Sequence, residues 1–312
     1  MRRSLVPLLL LLVLALAAAG CGNDGAKSDA AAPAGQGAAF PVTIDSAGGK
    51  LTIDRQPARI VSMSPTATEM LFAVGAGHQV AAVDSNSNYP EEAPKTDLSA
   101  YEPNVEAIAG YKPDLVVYSD DPGGLTAGLA KLNIKALKQP AATTLDDTYA
   151  QLDQLGRATG HPAEATRLAA TMRGEIQKLS AAKPDRPLTY YHELDKNLYS
   201  ATSKTFIGQL YAQLGLENIA DKADKDASGY PQLSAEYVIK ADPDLIFLAD
   251  TKCCGQSART VAARDGWDRL TAVRTGGVVA LDDDVASRWG PRVVDFLRTV
   301  AAKVQALAAV GK

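Results

Sequence analysis

Histidine, cysteine and tryptophan are scarce in this sequence of 312 residues, which has three, three and two of them respectively. A site for a bare Zn²⁺ or Mn²⁺ ion takes several imidazole, thiolate or carboxylate ligands. His78 follows a glycine turn and His161 precedes a proline, so only His192 lies at the end of a predicted strand. We therefore predict no metal-ion site.

Several signatures of catalysis and of nucleic-acid binding are missing as well. The sequence has no G-x-S-x-G, H-E-x-x-H, P-loop or C-x-x-C motif, and these mark common hydrolytic, metalloprotease, nucleotide-binding and redox sites. Its 36 acidic residues outnumber its 32 basic ones, whereas a nucleic-acid partner requires a basic face. We predict a monomeric protein that is not an enzyme and has no cofactor. The pairs His192–Glu193 and Cys253–Cys254 are the remaining candidates for chemistry.

The first 39 residues have the composition of a targeting segment followed by a tether. Two early arginines precede an apolar run, residues 5–16, that is too short to span a bilayer comfortably. Residues 18–21, Ala-Ala-Gly-Cys, resemble a bacterial lipobox, although alanine replaces the usual leucine. We predict a signal peptide over 1–21, a lipidated Cys21 and a flexible tether over 22–39. The protein would then be extracytoplasmic and anchored to the membrane; an ordinary signal peptide with a stray cysteine is the alternative.

A stretch in the middle of the chain, residues 162–183, has the pattern of one long helix. Pro162 suits a first helical position. Apolar residues then recur at steps of four, four and three, namely Leu168, Met172, Ile176 and Leu179. Such a helix is about 30 Å long, which is the width of a small domain.

Similar patterns occur on both sides of this helix. YKPDLVVYSD (111–120) and ADPDLIFLAD (241–250) each combine a Pro-Asp-Leu opening, an apolar run and an acidic loop. Each follows a capping residue and a glutamate, Glu106 in one case and Glu236 in the other. Two glycine-terminated amphipathic helices precede them in the same order, so chance resemblance is the weaker explanation. We predict two similar α/β lobes, residues 40–161 and 184–312, joined by the helix.

Five segments carry a resemblance to a known family, and they are RIVSMSPTATEMLFAVGAG (59–77), SNYP (87–90), EPNVEAIAGYKPDLVV (102–117), TFIGQLYAQLGLENIA (205–220) and SRWGPRVVD (287–295). Together they resemble the substrate-binding lipoproteins of bacterial ABC importers for iron–siderophores and cobalamin, the class III periplasmic binding proteins. The resemblance implies two Rossmann-like lobes, a ligand cleft between them and delivery to a permease with its ATPase. It also implies that one glutamate on the outer surface of each lobe docks onto the permease. Glu69 matches the first position, and the neutral Gln209 is its counterpart.

Loops at the carboxyl ends of parallel strands are where ligands bind in such folds. The ligand-binding candidates there are Ser64, Pro65, Thr66, Asn86, Tyr89, Tyr101, Tyr118, Asp120 and Asp121 in the first lobe, and Tyr191, His192, Tyr199, Cys253, Cys254, Arg288 and Trp289 in the second. Their aromatic rings suit a large flat ligand, itself a metal chelate or corrinoid. Residues 251–257 and 282–289 are predicted to be loops.

Charge and cysteine chemistry leave alternatives open. Arg288 could anchor an anion or pair with an aspartate of 282–284. The acidic rim favours a neutral or cationic ligand, such as cobalamin or a hydroxamate siderophore, over a catecholate complex. Cys253 and Cys254 could form a vicinal disulfide, remain free thiols or simply pack a turn. A bare-ion receptor and a thiol-redox protein using the two cysteines are the alternative functions.

Overall fold

An antiparallel hairpin opens the part of the chain that the computed structural model describes, which is residues 40–181, 183–184 and 186–310. Its strands are β1 (Val42–Ser46) and β2 (Gly49–Ile53), with Val42 opposite Ile53. Gly49 has φ +104°, a left-handed conformation that favours glycine at the turn. The predicted leader, the lipidated Cys21 and the tether lie outside the described residues.

Two four-stranded parallel sheets follow within those residues, and they share one strand order. The strands are β3 (Ile60–Met63), β4 (Val80–Val83), β5 (Leu115–Tyr118), β6 (Ala136–Lys138), β7 (Leu188–Glu193), β8 (Leu216–Asn218), β9 (Leu245–Leu248) and β10 (Val278–Ala280). The first sheet has the order β4–β3–β5–β6 and the second β8–β7–β9–β10. In both sheets the second strand of the chain segment lies at one edge and is followed by the first, third and fourth strands. The repeat predicted from the sequence is therefore confirmed.

Helices cover both sheets, which explains why the central strands are apolar throughout. All four residues of β5 and all four of β9 are buried. The helices are α1 (Pro65–Ala73), α2 (Val105–Gly110), α3 (Leu125–Lys131), α4 (Leu145–Thr159), α5 (Pro162–Ser180), α6 (Phe206–Gln213), α7 (Ala235–Ala241), α8 (Thr251–Cys254), α9 (Ala258–Ala262), α10 (Thr271–Arg274), α11 (Asp283–Ser287) and α12 (Val293–Val310). In the described part of the chain, none of them is both long enough and apolar enough to cross a membrane.

The aspartates of the two Pro-Asp-Leu openings are structural. Asp114 accepts hydrogen bonds from the amides of Ala58 and Arg59, at 2.9 and 3.0 Å, at the start of β3. Asp244 accepts from the amide and hydroxyl of Thr189 in β7, at 2.9 and 3.1 Å. Burial alone would raise the pKa of each carboxyl, but these hydrogen bonds and nearby arginines lower it below its usual value. Each aspartate therefore ties the start of one strand to its neighbour.

The long helix predicted in the middle of the chain is α5, which begins at Pro162 as expected and ends at Ser180 rather than 183. Its fully buried side chains are Ala165, Ala169, Met172 and Ile176, whereas the predicted Leu168 and Leu179 are half-buried. The close packing of α4 on α5 requires Gly156, because a Cβ there would lie 2.4 Å from that of Ala165.

The two lobes share one continuous hydrophobic core. It contains side chains of both sheets, of α1, of α4 to α6 and of α12. In the chain, α5 follows the first sheet and precedes the second. The proposed lobe boundaries at residues 161 and 184 stay a prediction. Two segments predicted as loops instead contain the short helices α8 and α11. Asp283 accepts a hydrogen bond from the first amide of α8, whereas α11 is capped by its own N-cap residue, Asp282.

Candidate ligand-binding site

A cavity of about 690 Å³ lies at the carboxyl edge of the first sheet. Its walls are Met63, Ser64, Pro65, Thr66, Asp84, Ser85, Asn86, Asn88, Ala100, Tyr101, Ser119, Asp120, Pro122, Asp284, Ser287, Arg288 and Trp289. Most of these residues lie in the loops that follow β3, β4 and β5, which converge because the strands are parallel. The remaining wall is α11 and the turn after it, from the second half of the chain. The cavity is therefore built by both lobes.

Eight of the predicted ligand-binding residues line this cavity, and they are Ser64, Pro65, Thr66, Asn86, Tyr101, Asp120, Arg288 and Trp289. Tyr101 is 79% exposed, so its ring is available to a ligand. The structure brings these eight residues together; their contact with a ligand stays a prediction.

The turn from β3 into α1 forms a polar floor. Ser64 is the N-cap of α1, and its Oγ accepts from the Ala67 amide at 3.3 Å. The hydroxyl of Ser119, at the end of β5, donates to the same oxygen at 2.8 Å. Below it, the Thr68 hydroxyl donates to Ser62 Oγ at 2.8 Å. The serine hydroxyls therefore hold the loops of two strands in a fixed position.

The carboxylate of Glu69 is buried against two arginines of the second lobe. Its side chain is 1% exposed. Arg288 Nη1 donates to Glu69 Oε1 at 2.8 Å, and Arg292 donates through Nη2 and Nε at 2.5 and 2.9 Å. The expectation that Glu69 lies on the outer surface is wrong, because this face of α1 packs on the segment leading into α12.

Arg288 is fully engaged by protein groups. Besides Glu69, its guanidinium donates to Asp284 Oδ1 at 2.8 Å and to the carbonyl of Asn86 at 3.0 Å. Asn88 Nδ2 donates to the other oxygen of Asp284 at 3.0 Å. The predicted ion pair with residues 282–284 is thus confirmed for Asp284. The guanidinium is 8% exposed, so little of it is free for an anionic ligand.

Carboxylates outnumber cations among the residues that line the cavity in the described structure. Asp84, Asp120 and Asp284 face one arginine, Arg288. Burial raises the pKa of Asp84, although hydrogen bonds from Ser87 and from the backbone oppose this shift. The wall therefore has a surplus of negative charge, which disfavours anionic ligands.

Trp289 is held in place by α4. Its indole Nε1 donates to Gln151 Oε1 at 2.9 Å, and its carbonyl accepts from the Thr148 hydroxyl at 3.0 Å. The ring is half-buried and faces the cavity with its remaining surface. The other tryptophan, Trp267, is 1% exposed and packs in the core of the second lobe.

Three predicted cleft residues are instead inside the protein. Tyr118 is buried, with its hydroxyl 2.6 Å from Thr126 Oγ1. Tyr191 and His192 are fully buried within β7, because this strand continues to Glu193 and residues along a strand alternate between its two covered faces. Burial lowers the pKa of His192 to about 4. Because β7 continues through Tyr191 and His192, these two residues lie within the sheet and not in a loop at its edge.

Five further candidates are accessible but lie away from the cavity wall, and they are Tyr89, Asp121, Tyr199, Cys253 and Cys254. The guanidinium of Arg292 lies 4.3 Å from the centre of the Tyr89 ring, a cation–π contact. Asp121 accepts from the Thr126 amide at 2.7 Å. Cys253 and Cys254 form a disulfide on α8.

A second buried charged group lies at the carboxyl edge of the second sheet. Glu193 is bound by Arg264 through two hydrogen bonds of 2.6 Å. Asp250, the counterpart of Asp120, is fully buried, and neither of its carboxylate oxygens has a hydrogen-bond partner among the described residues. Burial and, next, the charge of Glu193 raise the pKa of Asp250 to about 7. The equivalent edges of the two sheets therefore differ. The carboxyl edge of the first sheet lines the cavity, whereas Glu193 and Asp250 at the carboxyl edge of the second sheet are buried.

Gln209 is also a structural residue. Its amide donates to the Thr143 carbonyl at 2.7 Å and to the Lys204 carbonyl at 3.3 Å. The exposed carboxylates at equivalent positions of the two lobes are instead Glu106 in α2 and Glu236 in α7. The repeated pattern of a capping residue followed by a glutamate in the sequence already contains this pair.

No three histidine, cysteine, aspartate or glutamate side chains are arranged to hold a metal ion within residues 40–181, 183–184 and 186–310. The bare-ion alternative has no candidate ligand set there.

A model of the family described as "Periplasmic binding protein" matches residues 60–285. The chain belongs to this family. The periplasmic binding proteins bind solutes rather than catalyse reactions, so the prediction of a protein that is not an enzyme is confirmed. An uncharacterized ABC transporter substrate-binding lipoprotein of Bacillus subtilis is 30% identical over 298 residues, covering 92% of each chain.

Two further relatives have a ligand in their names. A cobalamin-binding protein of Halobacterium salinarum is 32% identical over 282 residues, covering 86% of this chain and 76% of that protein. The crystal structure of the periplasmic vitamin B12-binding protein of Vibrio cholerae superposes with a TM-score of 0.66 at 26% identity, covering 80% of this chain and 98% of that one. The family resemblance and the two-lobed α/β fold predicted from the sequence are both confirmed. This periplasmic binding protein is a substrate-binding component of an ABC importer and acts outside the cytoplasm.

Proposed function

We propose that this protein is a lipid-anchored receptor that binds a corrinoid, cobalamin, in the cavity between its lobes and delivers it to an ABC permease. The single observation that decides against an anionic ligand is the charge of the cavity wall, where Asp84 and Asp120 remain after Asp284 and Glu69 have paired with the one lining arginine, Arg288. Binding a polyanionic ferric catecholate there would oppose like charges.

The shape and polarity of the wall agree with a corrinoid. Trp289 and Tyr101 offer aromatic surface to a flat macrocycle. Asn86, Asn88 and the hydroxyls of the floor are hydrogen-bonding partners for the amide side chains at its edge. The cavity of about 690 Å³ lies within the range of drug-sized ligand sites, so a corrinoid, which is larger, would extend out of its open side. The cobalamin-binding relatives support the same ligand.

The experiment is a binding titration of the full-length chain with cyanocobalamin, ferrioxamine, ferrichrome, ferric enterobactin, hemin and Zn²⁺, followed by calorimetry. We expect cyanocobalamin to bind and the anionic ferric enterobactin and hemin to bind far more weakly. Tight binding of a ferric hydroxamate without cobalamin binding would shift the assignment to a siderophore. Binding of Zn²⁺ alone would contradict the proposal.

For the permease partner, we propose that Glu106 and Glu236 take the docking role that the family resemblance assigned to Glu69 and Gln209. Each follows an N-cap, Asn104 or Ser234, in the first turn of a helix at the equivalent position of its lobe. Hydrogen bonding to backbone and Ser234 lowers the pKa of Glu236, so it is ionised at neutral pH. Glu106 also borders a shallow outer groove of about 740 Å³.

Charge reversal tests the docking pair. Glu106→Lys with Glu236→Lys should abolish complex formation with the permease while ligand affinity measured by calorimetry stays unchanged. Glu217→Lys, at an exposed position of β8, is the matched control. Normal docking of the double variant would contradict this assignment.

A further inference from the structure

The disulfide between Cys253 and Cys254 closes a one-turn helix on the protein surface. Both cysteines are exposed on α8, and Gly255 ends the helix with φ +66°. A single turn of helix is not stable by itself in water, because too few hydrogen bonds offset the ordering of its backbone. Contacts with another part of the protein must therefore stabilise α8.

Asp283 provides that support from outside the helix. Its carboxylate accepts hydrogen bonds from the amides of Thr251, Lys252 and Cys253 at 2.8, 2.9 and 3.0 Å. The Thr251 hydroxyl donates to it at 2.7 Å as well. The backbone of α8 is thus bound to the first residue of α11.

The side chain of Lys252 extends this connection towards the cavity. Its ammonium lies 2.8 Å from Asp282 and 2.9 Å from Asp284. Asp284 in turn binds Arg288, which lines the cavity and pairs with Glu69 of the first lobe. A continuous set of charge-assisted hydrogen bonds therefore joins the disulfide segment to the cavity wall.

We propose that Cys253–Cys254 is a reversible thiol–disulfide modification site that controls how firmly α8 holds α11 and the cavity wall. The reductant is a dithiol, of a small molecule or of an extracytoplasmic thiol oxidoreductase. One thiolate of the dithiol attacks a sulfur of the disulfide, the S–S bond breaks, and a mixed disulfide forms. The second thiol then displaces the protein, so two electrons and two protons pass to Cys253 and Cys254 and the dithiol becomes a disulfide.

Reduction removes the covalent constraint on α8 but leaves Asp283 in place. The ring no longer fixes the Cys253–Cys254 peptide, so the amides of Thr251, Lys252 and Cys253 separate from Asp283 more often and exchange faster with solvent, and Lys252 holds Asp282 and Asp284 less firmly. Reduction should also weaken the affinity of the cavity for cobalamin, and this second effect rests on the proposed function.

The test compares full-length oxidised protein, protein reduced with dithiothreitol and freed of it anaerobically, and the variant Cys253→Ala with Cys254→Ala. Mass spectrometry of alkylated samples counts the thiols. Hydrogen–deuterium exchange should be about tenfold faster over residues 251–254 in the reduced protein and in the variant. Helix α9, which is closed by its own Ser257–Thr260 capping box, is the internal control and should not change. The dithiol should have no effect on the variant.

Cyanocobalamin titrations form the second arm, in which we expect about threefold weaker binding after reduction. Equal exchange over residues 251–254 and 283–288 in both redox states would overturn the proposal, as would a Cys253–Cys254 disulfide that dithiothreitol fails to reduce in the folded protein. Because exchange and thiol counting need no ligand, a failure of the cobalamin assignment would be distinguishable from a failure of this one.

Discussion

Replacing Glu69 with glutamine tests how the two lobes are held together. Glutamine has the size of glutamate but no charge and only one acceptor oxygen, so Arg292 would lose its charged partner and keep its contact with the Tyr89 ring. Arg288 would keep Asp284 and the Asn86 carbonyl. Both arginines are at most 15% exposed, so water would not replace the lost carboxylate.

The expected loss follows from this burial. Removing one partner of a buried ion pair lowers the free energy of unfolding by about 3–5 kcal/mol. Because Arg288 retains Asp284, we expect the lower end, about 3 kcal/mol, which corresponds to a fall in Tm of about 6–12 °C in a domain of this size. Differential scanning calorimetry and urea unfolding of the full-length protein would measure it.

The matched control is Glu175→Gln. Glu175 pairs with Lys178 and Arg298 on the surface of α5 and α12, where ion pairs contribute little. We expect its Tm to change by about 2 °C or less. If Glu69→Gln were as stable as the control and instead failed to dock onto the permease, Glu69 would lie on the outer surface and our account of the lobe interface would be refuted.

The remaining predictions concern pH, fluorescence and the membrane anchor. The raised pKa of Asp250, about 7, means that the folded state holds a proton that the unfolded state releases, so this residue lowers stability as pH rises from about 4 to 7. His192, with its pKa lowered to about 4, does the opposite between pH 4 and 6.5. In urea unfolding over this range, Asp250→Asn should make stability rise more steeply with pH and His192→Asn less steeply; unchanged slopes would contradict both shifts. Quenching of tryptophan fluorescence by cobalamin should persist in Trp267→Phe and disappear in Trp289→Phe, and the reverse result would move the ligand away from the cavity. Finally, Cys21→Ser should abolish labelling of the protein by radioactive palmitate and release it from membranes, whereas retained labelling would refute the predicted lipid anchor.

Local patterns in the sequence were sufficient for most of the fold. Apolar runs of strand length, capping residues such as Asn104 and Ser234, and the glycines that end helices depend on neighbours within a few positions. The repeated Pro-Asp-Leu openings predicted two similar parallel sheets, and the two sheets of the structure do have the same strand order. The sequence did not predict α8 because its support comes from Asp283, about 30 positions away, which no local pattern contains. Helix α11 has a local cap, Asp282, but its five residues are too few to show a helical period.

The sequence by itself determined the two-lobed architecture, because secondary structure and hydrophobic burial follow from spacing along the chain, and its five motifs indicated the family by their resemblance. Only the tertiary structure decided which side chains around the cavity face the candidate site and which are instead engaged in contacts within the protein. Glu69 and Arg288 are 219 positions apart, yet their pairing decides that neither is free, since a buried charge must find its partner wherever the fold brings one.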